Sequence, residues 1–527
     1  MKQNTGSSKY INYYNCLILC FFILSFIGIL NHEMWRDETQ AWLIARDSST
    51  LIDLYQNLKY EGHPGLWHLC LFLIAKLTHN PFAMQFFHIL ISTAIVYIFV
   101  KLSPFNILQK TLFTFGYFPF FEYNLISRNY NLGLLLVFIF CYLFTCKNRN
   151  YITLFLTLAF LANTNVYGLI ICLCLSTTLI IDTIIKHRKI QYKLNIKHKK
   201  NLYIGLLILF FGLGLSFFQL LPVAIQHTAK DIQQNTGKQI FISELELLLI
   251  KLKNLAFTIK TIWSSYIPIP NFFEYHFWNK NITSISIILE LFALCISFLI
   301  LIFSVFIFID KPIVLFFYLS GTLGIFLLTF FKWRGSLRHH GHLFIIFLAC
   351  IWISKFFEKS YSIPNKFQKV AYYFKKSQKK IITFILLIQM LAGLHAYSMD
   401  LIYPFSKSKA AAQFIQKQDL DEAFILGTRD TIVSPISAYI EKKIFYIENN
   451  RLGSFFQNPL IKFIKNQSEL IDKIDSIVKN NSTKKVLILS YPLNLKQSQI
   501  NITKIGEFDG SIVADDKYYI YTIKKIN

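Results

Sequence analysis

Long apolar runs recur through the first three quarters of the chain, separated by short polar stretches. A membrane-crossing helix needs about 20 mostly apolar residues, with a range of roughly 17–25. Eight runs are clear candidates: 14–30, 82–100, 130–146, 166–185, 202–222, 283–309, 313–331 and 381–397. Three shorter or weaker runs, 111–124, 151–163 and 343–357, bring the expected crossings to eleven. Residues 64–79 carry His68, Lys76 and His79. As a helix their reach is only ~24 Å, against a hydrocarbon core of ~30 Å. They are read as a helix lying in the membrane interface. The basic loops 186–200 and 355–380 then fall on the side of the N-terminus, which the positive-inside rule makes cytoplasmic. The first run follows Lys2 and Lys9 and has no small-residue cleavage site after it, the pattern of an uncleaved signal anchor.

Residues 399–527 change character. Helical periodicity marks 406–418 and 460–480, and strand-like runs mark 423–427, 443–448, 484–490 and 518–525. The expected fold class is therefore mostly α. A polytopic membrane helix bundle (1–398, about eleven spans plus the interfacial helix) is followed by a small α/β domain (399–527). The charge arrangement places that domain outside the cytoplasm.

Composition supports the membrane reading. Of 527 residues, 54% are hydrophobic and only 16% charged, against roughly 25% charged in soluble domains. The net charge is +25, of which residues 1–398 hold +21. Basic charge in short loops between apolar runs sets membrane orientation and does not indicate nucleic-acid binding. All nine Cys lie in or beside apolar runs, with neither a disulfide framework nor metal-ligand spacing.

Chemistry-bearing residues collect on the outer side. The first outer loop opens NHEMWRDETQAW, where Asp37 and Glu38 sit between Trp35 and Trp42. Adjacent carboxylates beside interfacial Trp side chains suit a general base, or equally a solvated turn. KYEGHPGLWH places His63 before Pro64, which can open the interfacial helix at its first turn. Arg128, in FEYNLISRNYNLG, stands at the outer end of a span, where a guanidinium can bind phosphate bidentately or snorkel to the interface. KWRGSLRHHGH packs Arg334, Arg338, His339, His340 and His342 together. Positive charge on the outer side calls for an anionic partner. The adjacency of His339 and His340, with no carboxylate following, does not support a zinc site. Glu290 lies within a span and is read as a hydrogen-bonding group of the bundle.

In this order the motifs resemble the GT-C superfamily of membrane glycosyltransferases, in particular the branch of the lipid A aminoarabinose transferase and the protein O-mannosyltransferases. There an acidic motif follows the first span, here Asp37-Glu38. A Lys-Pro or His-Pro motif precedes a helix along the membrane, here His63-Pro64. An outer Ser-Arg motif leads into the fourth span, here Ser127-Arg128, and an outer α/β domain closes the aminoarabinose transferase. There are departures. The Asp that often follows Ser-Arg is Asn131, and Asn163 and Asn165 stand where relatives often carry Lys.

The resemblance implies a polyprenyl-phosphate-linked sugar donor and a glycan, lipid or protein acceptor at the outer face. Asp37 would be the general base of an inverting transfer, with Glu38 orienting the acceptor or Asp37. His63, Arg128 and Arg338 would stabilise the leaving phosphate, supported by His339 and His340, with Trp35 lining the site. No cofactor, nucleotide site or divalent metal is implied. The Lys/Asn/Ile-rich composition points to a bacterial inner membrane and undecaprenyl phosphate. A flippase or transporter of a lipid-linked or anionic substrate is the competing class, and would call for inverted repeats that the sequence does not display. A non-catalytic scaffold using residues 399–527 is a third.

Overall fold

The structure of the protein, a computed structural model, describes residues 5–59, 61–188, 196–237, 244–357, 363, 365–457, 464, 466–479, 485–493 and 501–524. The protein is predominantly helical, with one six-stranded sheet near its C-terminus. This is the expected class.

Eight helices among the described residues are long and apolar enough to cross a membrane. They are Ile11–Asn31, Phe82–Leu102, Val166–Lys186, Lys199–Leu221, Ile287–Phe308, Pro312–Phe331, Leu337–Ser354 and Asn365–Ile402. The other three expected crossings are shorter or broken. Tyr130–Thr145 and Tyr151–Ala162 are apolar helices of 16 and 12 residues. The run 111–124 is not one helix. Ile107–Thr114 ends, Gly116 leaves helical space at φ −69°, ψ 159°, and Tyr117–Glu122 forms a π-helical turn around Pro119. Proline has no N–H to continue an α ladder, and the Tyr123 N–H bonds five residues back, to the Phe118 carbonyl. The interfacial segment yields Leu66–Ala75, capped by Gly65, so Pro64 precedes the helix instead of opening it.

The chain divides into two compact units, each discontinuous in sequence. The first comprises Met1–Phe26, His88–Leu125 and Asn129–Tyr397. Its Leu337–Ser354 helix is 89% buried, against 22–56% for the other seven long helices. A helix wrapped by protein can begin with RHHGH and still sit deep in a bundle. Glu290 lies in the first turn of Ile287–Phe308 and is paired with Lys260 at 2.7 Å.

The second unit comprises Ile27–Phe87, Ile126–Arg128 and Ser398–Asn527. Its sheet runs β3-β2-β1-β4-β6-β5. The strands are β1 (Phe424–Gly427), β2 (Ile444–Tyr446), β3 (Arg451–Gly453), β4 (Lys485–Leu489), β5 (Asn501–Phe508) and β6 (Tyr518–Lys524). β1 pairs in parallel with β2 and β4, while β3, β6 and β5 add on antiparallel. Side chains alternate between faces along each strand. Val486 and Ile488 join helices Ser408–Lys417 and Asp430–Ile440 on one face. Leu487 and Leu489 join helix Gln467–Lys479 on the other. Covering both faces explains why β4 reads as an unbroken apolar run.

The first loop is built into this unit. Its helix Arg36–Asp47 packs on Asp430–Ile440. The Gln40 side chain donates to the Phe456 carbonyl at 3.0 Å and accepts from the Phe456 N–H at 3.1 Å. The Ser454 hydroxyl donates to the Asp47 carboxylate. The Met34 carbonyl accepts from the Ser408 hydroxyl at 3.1 Å, and its N–H donates to the Tyr439 hydroxyl at 3.2 Å.

Candidate functional site

Helix Arg36–Asp47 starts abruptly after the extended residue Trp35. Its free N-terminal amides favour carboxylates in the first turn, and Asp37 and Glu38 occupy that turn. The two have different surroundings. Glu38 is fully buried. Its Oε2 accepts from the Trp35 N–H at 3.1 Å and meets the His32 Nε2 at 3.2 Å. Its Oε1 accepts from the Ser127 N–H at 2.6 Å. The other ring nitrogen of His32 meets Asp400 at 2.8 Å. Burial alone would lower the His32 pKa, but the Asp400 and Glu38 carboxylates outweigh it and push it up to about 10.

Asp37 is half-buried. Its carbonyl accepts from the Arg128 guanidinium, so the Ser127-Arg128 segment is tied to the acidic turn at both Glu38 and Asp37. Glu61 belongs to the same group. Its carboxylate accepts from the Gln40 side chain at 2.8 Å. Burial pushes its pKa up to about 7; Gln40 and Arg128 oppose that and Asp37 adds to it. Gly62 holds φ at +72°, a conformation glycine adopts without strain, and turns the chain into His63. His68, buried in Leu66–Ala75, is pushed down to about 3 by burial and then by the charges of Arg128 and His63. Asp516, in the loop before β6, is raised to about 7 by burial, with Arg36 and Ser406 opposing and Asp37 and Asp515 adding. The second unit therefore gathers Trp35, Asp37, Glu38, His63 and Arg128 from the sequence-predicted set. To these it adds His32, Glu61, Asp400 and Asp516.

Arg338, His339 and His340 lie in the first unit. The Arg338 guanidinium stands 5.2 Å from the centre of the Trp278 ring, and its carbonyl accepts from the Tyr123 hydroxyl at 2.6 Å. The His339 Nδ1 accepts from the Ser336 N–H at 2.8 Å. That leaves Nε2 to carry the ring proton and donate to the Tyr130 hydroxyl, at 2.9 Å. His340 donates through Nε2 to the Arg334 carbonyl at 2.8 Å. Both imidazoles are thus engaged in fixing the start of Leu337–Ser354. Asn131 is buried, and its amide donates to the His88 carbonyl at 3.1 Å. Among the described residues no group of three or more His, Cys, Asp or Glu is placed to hold a metal ion.

Of the residues the sequence reading missed, Glu61 had a signal: it stands two positions before His63 in the quoted motif. His32 had one too, as the residue after the first span. Asp400 had none, since its contact to His32 crosses 368 positions.

These shifts predict a pH dependence. Glu33, like Glu61 and Asp516, is raised to about 7 chiefly by burial. A carboxyl whose folded pKa exceeds its unfolded value binds its proton more tightly when folded, so stability falls as pH rises from about 4.5 through 7. His32 acts in the same direction, its contribution being present below 6.5 and lost as pH rises through about 10. Thermal unfolding of the detergent-solubilised protein is expected to occur at a higher temperature at pH 5.5 than at pH 8. Glu61→Gln should narrow the gap, and an unchanged gap would remove Glu61 as its cause.

No protein-family model matches the chain, and no curated protein matches it in sequence. It is similar to the crystal structure of ArnT from Cupriavidus metallidurans bound to undecaprenyl phosphate, with a TM-score of 0.49 and 9% identity over 97% of this chain and 98% of that one. At that identity and score, activity does not transfer from one protein to the other.

Proposed function

We propose that the protein is an inverting glycosyltransferase, moving a hexosyl or pentosyl group from a polyprenyl-phosphate-linked donor to an acceptor hydroxyl at the outer face of a bacterial inner membrane. The observation that supports this best is the union of an acidic turn with Arg128. A carboxylate able to take a proton and a guanidinium able to hold a phosphate share one hydrogen-bonded frame.

In this reading Asp37 takes the proton of the acceptor hydroxyl. The acceptor oxygen bonds to the anomeric carbon from the face opposite the phosphate. The bond from that carbon to the phosphate oxygen breaks, and its electron pair leaves on the polyprenyl phosphate. Arg128, with His63, offsets the charge growing on that phosphate. Glu38 orients Asp37 and not the acceptor, because His32, Trp35 and Ser127 already occupy its oxygens. Arg338, in the first unit, is assigned an anionic ligand by its charge alone. His339 and His340, engaged by Tyr130, Ser336 and the Arg334 carbonyl, hold its segment in place. The N-terminus is cytoplasmic and residues 399–527 lie outside, as the basic loops suggest.

The test is turnover in membranes supplied with a sugar-labelled undecaprenyl-phosphate donor. Release of undecaprenyl phosphate, with sugar appearing on acceptor in inverted configuration, is the expected result. Movement of intact donor across the bilayer without cleavage would replace the enzyme with a flippase. Arg128→Ala should lower turnover by roughly 10²-fold, the scale for losing one transition-state charge contact. Unchanged turnover in that variant would remove Arg128 from the phosphate.

A further inference from the structure

The mechanism leaves a buried group unused. His32 is enclosed, with its two ring nitrogens facing Asp400 at 2.8 Å and Glu38 at 3.2 Å. Two carboxylates on one ring are matched when both nitrogens carry protons and donate. The Phe405 ring lies 4.6 Å from the imidazole centre, and the Gln85 amide donates to the His32 carbonyl at 3.2 Å. An ion set taken out of water is costly, and it does not by itself raise stability over a well-packed apolar substitute. Its value must come from what it holds.

What it holds is a closed circuit. Glu38 receives His32 on one oxygen and the Ser127 N–H on the other. The residue after Ser127 is Arg128, whose guanidinium donates to the carbonyl of Asp37. Asp37 precedes Glu38 in the same helical turn, whose entry is pinned by the Trp35 N–H on Glu38. Displacing Glu38 therefore moves the proposed base and the proposed phosphate ligand together.

We propose that Asp400, His32 and Glu38 form a positioning relay that keeps the Asp37 carboxylate and the Arg128 guanidinium in register. The proposal rests on the glycosyl-transfer reading for its purpose, and on the hydrogen bonds alone for its geometry. His32 and Asp400 are positioning residues and do not touch the reacting atoms. Loosening them misaligns a base that still ionises and a phosphate ligand that still carries its charge. The chemical step should suffer more than donor binding.

The experiment compares wild type, His32→Gln, Asp400→Asn and the double variant in membranes, with undecaprenyl-phosphate sugar as probe. His32→Gln should lower kcat by roughly tenfold or more, the scale expected for sub-ångström misplacement of a reacting group, with donor KM within about twofold. Asp400→Asn should act in the same direction. The double variant should be no worse than His32→Gln, because both act through one chain of contacts. Additive losses, or a raised KM with unchanged kcat, would overturn the relay. Hydrogen exchange provides a readout that needs no turnover. His32→Gln should speed exchange in peptides covering 33–47 and 126–130 and leave the 484–490 peptide unchanged. Uniform acceleration would mean general loosening, and unchanged exchange would mean no relay. If wild type releases no undecaprenyl phosphate, the glycosyl-transfer reading falls, while hydrogen exchange still decides whether the three residues hold the turn.

Discussion

Asp37→Asn is expected to reduce sugar transfer by roughly 10²–10⁴-fold, the range for losing a positioned general base. The substitution keeps the size of the side chain and the Asp37 carbonyl that Arg128 uses. Glu38, which holds the turn, is untouched. The first-turn charge that is given up is worth about 0.3–1 kcal/mol, so thermal stability should fall only slightly, and at matched protein level the loss reads on chemistry. Donor KM should change little, since Asp37 acts on the acceptor proton. The check is labelled-sugar transfer at matched protein level. Equal transfer by wild type and variant would take the base role from Asp37, and Glu61, beside it with a pKa near neutrality, would be the next carboxylate to substitute.

Glu38→Ala should fail differently, through the fold. The Trp35 and Ser127 amides lose their acceptor, and His32 is left charged with one carboxylate in place of two. Breaking a buried pair from one side costs about 3–5 kcal/mol, a large part of the roughly 5–15 kcal/mol that stabilises a typical domain. The expected result is a lower unfolding temperature and reduced abundance, with activity lost in proportion or beyond. Glu38→Gln keeps one carbonyl acceptor and should lie between Ala and wild type. The measurement is thermal unfolding of the detergent-solubilised variants beside wild type. A Glu38→Ala protein that unfolds at the wild-type temperature would show that these hydrogen bonds carry no net stability.

The two substitutions separate what adjacency in the sequence conceals. Asp37 and Glu38 read as an equivalent pair, because local pattern carries no information on which carboxylate a distant residue will enclose. Apolar periodicity was strong enough to place the long helices, since twenty apolar residues leave few alternatives. It failed at 111–124, where Gly116 and Pro119 break a run whose hydropathy continues. In the tail, β1, β2, β4 and β6 were legible as apolar, β-branched runs. β5 was not, because it is an edge strand with one buried residue, and β3 has only three residues. Helix Asp430–Ile440 was hidden by Pro435, which argues locally against a helix. Tertiary burial overrides that preference, since Val433 and Ile436 are in the sheet's core on both sides of it. Trp35, His63 and Arg128 were readable as motif residues. The contacts that join the acidic turn to the Ser127-Arg128 segment were not, because each uses a backbone group, the Ser127 N–H and the Asp37 carbonyl, and backbone groups carry no sequence signature.

The span between His32 and Asp400 also has a consequence in time. The residues flanking the acidic turn are made long before their partners at Asp400, Ser408, Tyr439, Ser454 and Phe456. At about 5–20 residues per second the wait across 368 positions is roughly 20–70 s. During that interval the nascent chain already carries Asp37 and Arg128 but lacks the Asp400 carboxylate that pairs with His32. A chain interrupted before Asp400 would carry the Glu38 contacts to Trp35 and Ser127 but not the carboxylate that pairs with His32. Synthesis of the segment from Asp400 to Phe456 is thus the event that completes the enclosure of this region.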